Sequence, residues 1–130
     1  MNKPAFPVEP ELNVLGEPLE LCSADPLTGY FRTGHCIVGP QGEGRHTLCA
    51  EMTAEFLAFS KTRGNDLTTP RPEYAFPGLN PGDRWCLVAE RWIEALEAGM
   101  APRIVLLSTH QSVLQLVDIA TLKRYALDLA

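Results

Sequence analysis

Two stretches decide the fold: residues 46–64, HTLCAEMTAEFLAFSKTRG, and residues 82–99, GDRWCLVAERWIEALEAG. Each runs from a short strand-like segment carrying a cysteine, Cys49 or Cys86, into a helical pattern. In the second, Ala89, Trp92, Ile93 and Leu96 fall at i, i+3, i+4 and i+7, while Glu90, Arg91, Glu94 and Glu97 face out. Gly99 ends that helix and Pro102 prevents its return. In the first, His46 to Met52 has the length of a strand and Thr53 is placed to cap the helix that follows. Glu55 sits in the positive first turn, and Gly64 closes the helix. Phe56, Leu57, Phe59 and Ser60 supply its inner face. A third unit, APRIVLLSTHQS over 101–112, carries a continuous apolar run from Ile104 to Leu107, the mark of a strand covered on both faces.

Working outward, NVLGEPLELC reads as two short strands about a Gly16-Glu17-Pro18 turn. Asp25-Pro26 and Thr28-Gly29 mark further turns, and residues 39–44 form a Gly-rich loop. The tail holds a short helix near Gln111–Leu116 and another over Ile119–Leu127. The pattern predicts a single α+β domain over 1–130, with one mixed β-sheet, a strand-rich N-terminal half and a C-terminal half alternating strand and helix. Trp92, Ile93, Leu96, Ile104, Leu106 and Leu57 are its expected core. Residues 1–10 read as a loosely held leader.

The stretch between the first two units, NDLTTPRPEYAFPGLNPG (residues 65–82), contains four prolines and no helical or alternating pattern. Structureless loops beyond about 12–15 residues are uncommon in compact domains and are usually functional or disordered. Tyr74, Phe76 and Leu79 are apolar anchors, which favours a packed loop. It covers one end of the core or walls a binding cleft.

Composition bounds the function. The 130 residues are 45% hydrophobic and 21% charged, as in an ordinary globular protein. Sixteen acidic and 11 basic side chains give a net charge of −5. Bases are not clustered, so neither a nucleic acid nor an anionic membrane is the expected partner. No apolar run approaches the roughly 18 residues that span a bilayer. The opening MNKPAFPVEPEL lacks the apolar core of a signal peptide, so the expected setting is cytoplasmic. In a reducing compartment the cysteines at 22, 36, 49 and 86 are expected to be free thiols. No C-x-x-C occurs, and no metal is expected. A tetrahedral zinc site would need sulfurs within about 4 Å of one another, and finding Cys and His around one point would reverse that expectation.

The candidate cleft residues are His46, Asn65, Asp66, Thr68, Thr109 and His110, polar groups that need partners if buried. His110 follows an apolar strand at the opening of a helix, where ligands gather in open α/β sheets. A helix N-terminus also favours its neutral imidazole. Cys49 and Cys86 are candidate reactive thiols, although cysteine packs equally well as a small buried hydrophobe. His46 lies three residues before Cys49, on the opposite strand face, and is a poor local base for it. Asp83-Arg84 forms an ion pair or an anion contact. Phosphate-loop, nucleophile-elbow and H-E-x-x-H signatures are missing, so catalytic residues and cofactor stay unassigned.

The blocks NVLGEPLELCSADPLTGYFRTG, HTLCAEMTAEFLAFSKTRGNDL, FPGLNPGDRWCLVAERWIEALEAG and IVLLSTH, with the terminal LKRYA, resemble the uncharacterised family catalogued as domain of unknown function 2237. The resemblance runs from about Asn13 to Asp128. It implies no activity, substrate or cofactor. It also implies cysteines in other members where His35 and Val88 stand here, and this departure argues against a site built on adjacent cysteine pairs. Two function classes follow. One is a small domain that binds or acts on a polar ligand, in a cleft between the 65–82 loop and the strand ends near His110. The other is a non-catalytic protein–protein interaction or scaffolding module; a metal-binding domain ranks behind both.

Overall fold

The computed structural model describes residues 11–129. Strand β1 (His46–Glu51) pairs antiparallel with β2 (Arg84–Val88), with a register irregularity between His46 and Leu48. Each strand runs into a helix: β1 into α1 (Ala54–Thr62), β2 into α2 (Ala89–Glu97). A third helix, α3 (Ile119–Arg124), lies near the end of the chain. The domain is α+β.

Period-2 alternation gives the two strands different faces. Leu48, Ala50, Trp85 and Leu87 belong to the main core, with Phe56 and Leu57 of α1 and Trp92 and Ala95 of α2. Cys49 and Cys86 belong to a second, smaller cluster with Cys22, Cys36 and Val105. The sheet is therefore covered on both sides, by helices on one and by the N-terminal segment on the other.

α1 starts as its sequence predicts: the Thr53 hydroxyl accepts from Phe56 N at 3.0 Å. In α2, Trp92 is fully buried and donates through Nε1 to Pro102 O at 2.9 Å. Ile93 and Leu96, expected inside, are half-buried and pack on the core margin, while Ala95 takes the fully buried position. Leu57, Ile104 and Leu106 are buried as expected.

The sheet is smaller than the sequence suggests. Among the described residues it grows beyond β1 and β2 only by single bridges, antiparallel between Ala50 and Ile104 and parallel between Ile104 and Ala126. The Ile104–Leu107 strand is cut short because Asp128 accepts the N–H groups of Leu106 and Leu107 at 2.8 and 2.9 Å, turning the chain into a 3-10 helix over Leu106–Ser108. The tail of α3 stops at Arg124, and Leu127 N–H instead bonds to Ile104 O. Gln111–Gln115 is a 3-10 helix. Before β1 the described chain holds turns and isolated bridges, such as Leu12 with Pro18, where two strands were expected. The expected leader over residues 1–10 lies outside the described residues.

All four cysteines are in disulfides, Cys22–Cys49 and Cys36–Cys86. This corrects the expectation of free thiols, and Cys49 and Cys86 are not reactive thiols in this form. The reason is through-space register. Cys49 and Cys86 face each other across the strands, and each sulfur is met by a cysteine from the turn-rich N-terminal segment.

Candidate functional site

The 65–82 loop is built from its first residues. The Asp66 carboxylate accepts from Thr68 N and Oγ1 at 2.9 Å, from Thr69 N at 3.3 Å and from Thr69 Oγ1 at 2.6 Å. These bonds hold its carboxyl well below the usual carboxylate range. Arg71 and Phe76 then close a tight reversal through reciprocal backbone bonds of 2.8 and 3.0 Å around the Pro72–Tyr74 3-10 turn. Leu79 N–H returns to Leu67 O at 2.8 Å. Gly78 passes beneath Thr68 at φ +82°, where a Cβ would sit 2.5 Å from Thr68 O. The loop is packed, with Leu67, Phe76 and Leu79 in the core.

This loop walls a cleft of about 370 Å³. Asp66, Leu67, Arg71, Tyr74 and Phe76 come from the loop, His46 from the head of β1, Trp85 from β2, and Tyr30 and Arg32 from the N-terminal segment. Its floor is aromatic: Phe76 meets Trp85 edge-on at 5.2 Å, and the Arg32 guanidinium lies 5.1 Å from the Trp85 ring centre. Tyr30 stacks towards His46 at 6.3 Å.

Arg32 adopts φ +55° and Ala75, between two lining residues, φ +53°; among the described residues they are the two non-glycine positions with positive φ. Such backbone persists where surrounding contacts over-determine it, and it clusters at functional sites. Arg32 is fixed by Nη1 donating to Gly29 O at 2.7 Å and Nη2 to Tyr74 O at 3.3 Å. Its Nε is buried without a partner, and so is His46 Nδ1; among the described residues these are the two buried side-chain polar atoms in that condition. Burial, and then the Arg32 charge, push the His46 pKa below its ordinary value, so the ring is neutral at neutral pH.

Of the sequence candidates, His46 and Asp66 meet in this cleft. Asn65 and Thr68 stand beside it in the chain: Asn65 O accepts from Ser60 Oγ at 2.7 Å, and Thr68 serves the Asp66 turn. Thr109 is fully buried and structural; its hydroxyl accepts from Cys49 N at 3.1 Å and donates to Val105 O at 2.8 Å. His110 is not among the lining residues. Its Nε2 lies 2.9 Å from Glu11 Oε1 and its Nδ1 accepts from Ser112 N at 3.0 Å, which assigns the proton to Nε2. Glu11 also accepts from Val38 N and Gly39 N at 2.7 and 2.9 Å, so it ties His110 to the N-terminal segment. Arg84 makes a cross-strand ion pair with Glu51 at 3.7 Å, and Asp83 accepts from Asn80 N in a turn.

Sequence reasoning missed Tyr30, Arg32, Arg71 and Trp85. The one signal for them is an arginine after two aromatics in a turn-rich stretch, which gives no hint that this stretch crosses to β2.

Among the described residues, no helix is long and apolar enough to cross a membrane. No curated protein matches the sequence. Residues 12–126 match the family described as "Uncharacterized protein conserved in bacteria (DUF2237)", and the chain belongs to that family.

Proposed function

We propose that the cleft binds a small anionic molecule with a planar, unsaturated body, its carboxylate or phosphate held by Arg32 and His46 and its plane packed on Trp85 and Phe76. The carrying observation is that Arg32 Nε and His46 Nδ1, both buried and unpartnered, belong to one concave site. Unpaired buried polar atoms cost free energy, and side-chain rotation that brings them to a ligand oxygen in the cleft removes that cost. Arg71 adds a second cation, while the Asp66 carboxylate is already occupied by four donors. A concave site with a few convergent polar groups on apolar walls suits a small ligand better than a flat protein surface. The acidic composition without basic clusters supports no nucleic-acid partner.

The test is a panel of aromatic carboxylates and aryl phosphates, with their neutral amides as controls, titrated while Trp85 fluorescence and ligand NMR are followed. Anions should bind, the amides should not, and Arg32→Met should weaken binding at least tenfold. Equal binding of the amides, or unchanged binding by Arg32→Met, refutes the reading.

A further inference from the structure

The cysteine cluster has a geometry that two independent staples would not require. Cys49 N–H points outward to the Thr109 hydroxyl and Cys86 N–H outward to the Thr28 hydroxyl, at 3.1 and 2.8 Å. The facing residues are therefore a non-hydrogen-bonded pair, the kind whose Cα atoms and side chains approach most closely. Both side chains leave the same face of the sheet, and Cys22 and Cys36 approach them there. The sulfurs of Cys22, Cys36 and Cys49 lie within 4.8 Å of one another, and Cys86 is bonded to Cys36. Cys36, Cys49 and Cys86 are fully buried and Cys22 nearly so, with Val105 closing the cluster.

We propose that these four cysteines form a redox-controlled metal site: two disulfides when oxidised, a tetrahedral zinc tetrathiolate when reduced. With Zn–S bonds of about 2.3 Å, tetrahedral ligand sulfurs stand about 3.8 Å apart. Three of the four sulfurs already lie within 4.8 Å of one another and the fourth is bonded to one of them, so reduction frees the side chains to settle at that spacing by rotamer adjustment. Two equivalents of a small dithiol supply the four electrons and four protons that reduce both disulfides, each dithiol becoming a cyclic disulfide. Zinc then displaces the four thiol protons to water, and four Zn–S bonds replace two S–S bonds. Tyr30 and Arg32 hang between Cys22 and Cys36, so in either state the cluster anchors the segment that carries them to the cleft.

The experiment uses the full chain, reduced with dithiothreitol, freed of it under anaerobic conditions and mixed with one equivalent of zinc chloride. Native mass spectrometry should show one zinc per reduced chain. All four thiols should resist iodoacetamide until EDTA is added. The oxidised chain, lighter by four hydrogens, should carry no zinc. Cys22→Ser with Cys36→Ser should lose the metal, and cobalt in place of zinc should give the absorption bands of a tetrahedral thiolate site in the native sequence only. If the reduced chain unfolds without zinc and refolds with it, as followed by circular dichroism, the site is supported. A reduced chain that carries no zinc at micromolar metal, folded or not, overturns the proposal. So does a double variant that retains the zinc. Neither result depends on ligand binding in the cleft.

Discussion

Replacing Thr109 by valine removes one hydroxyl at almost constant shape, and the structure says which bond is lost outright. The hydroxyl accepts from Cys49 N–H and donates to Val105 O. Val105 O keeps a second donor, Ser108 N at 3.2 Å, so only the Cys49 N–H is orphaned. An orphaned buried donor costs about 1–3 kcal/mol, and the central value is about 2 kcal/mol. Thr109→Ser keeps both bonds and removes one buried methyl, a loss of about 0.8 kcal/mol. Serine should therefore be the milder substitution although valine is the better isostere. With an m-value of about 1.5 kcal/mol/M in urea, the valine variant should shift the midpoint by about 1.3 M and the serine variant by about 0.5 M. Equilibrium urea unfolding with the disulfides intact reads both. A valine variant as stable as the serine variant refutes the account. So would a stable valine variant that loses ligand binding, which would restore Thr109 to the cleft.

Three further outcomes follow from the same geometry. Removing a bridge by Cys→Ala pairs should cost about 3.5 kcal/mol for the Cys22–Cys49 loop of 27 residues and about 4 kcal/mol for the Cys36–Cys86 loop of 50 by loop entropy, read by urea unfolding; a cost below 1 kcal/mol for either removes its role as a staple. His46 and His110 both have folded pKa values lowered by burial, the latter despite the opposing effect of Glu11. The unfolded chain then takes up protons first, so stability is full above the ordinary value of 6.5 and declines as pH falls through it towards the folded values. Urea midpoints between pH about 7.5 and 5 should show that decline, and His46→Gln should flatten it. Gly78→Ala forces a Cβ against Thr68 O at positive φ and should cost about 1–2 kcal/mol while speeding chymotrypsin cleavage after Tyr74, in the same loop; unchanged cleavage contradicts the packed loop.

The parts legible in the sequence are those governed by local periodicity and capping. Trp92 and the glutamates around it define α2, and Thr53 starts α1, because a helix satisfies its bonds within itself. The proline-rich 65–82 stretch was readable as a packed loop because its apolar anchors need burial; Phe76 and Leu79 are buried, while Tyr74, expected with them, is exposed. His46 and Asp66 could be named because they sit at element ends beside it. Pairing was not legible. That Cys49 faces Cys86 depends on the register between strands thirty-seven positions apart, and no periodicity records it. The compartment argument therefore decided the cysteines, and decided them wrongly for this form. His110 was drawn to the cleft by analogy with open sheets, but here Glu11 claims its Nε2. Arg32 was invisible for the same reason as the disulfides: its partners, Trp85 and Tyr74, arrive from far along the chain.

The order of the bridges along the chain is interlaced, first with third and second with fourth. Every peptide bond between Cys36 and Cys49 is thus straddled by both. Residues 39–44, largely exposed and glycine-rich, lie inside that doubly spanned interval. A cut there would leave one molecule held by two covalent links, running as a single band on a non-reducing gel and as two fragments after reduction. The same loop is accordingly the place to open new chain ends or to insert a reporter peptide, since the chain's continuity at that point is duplicated by sulfur.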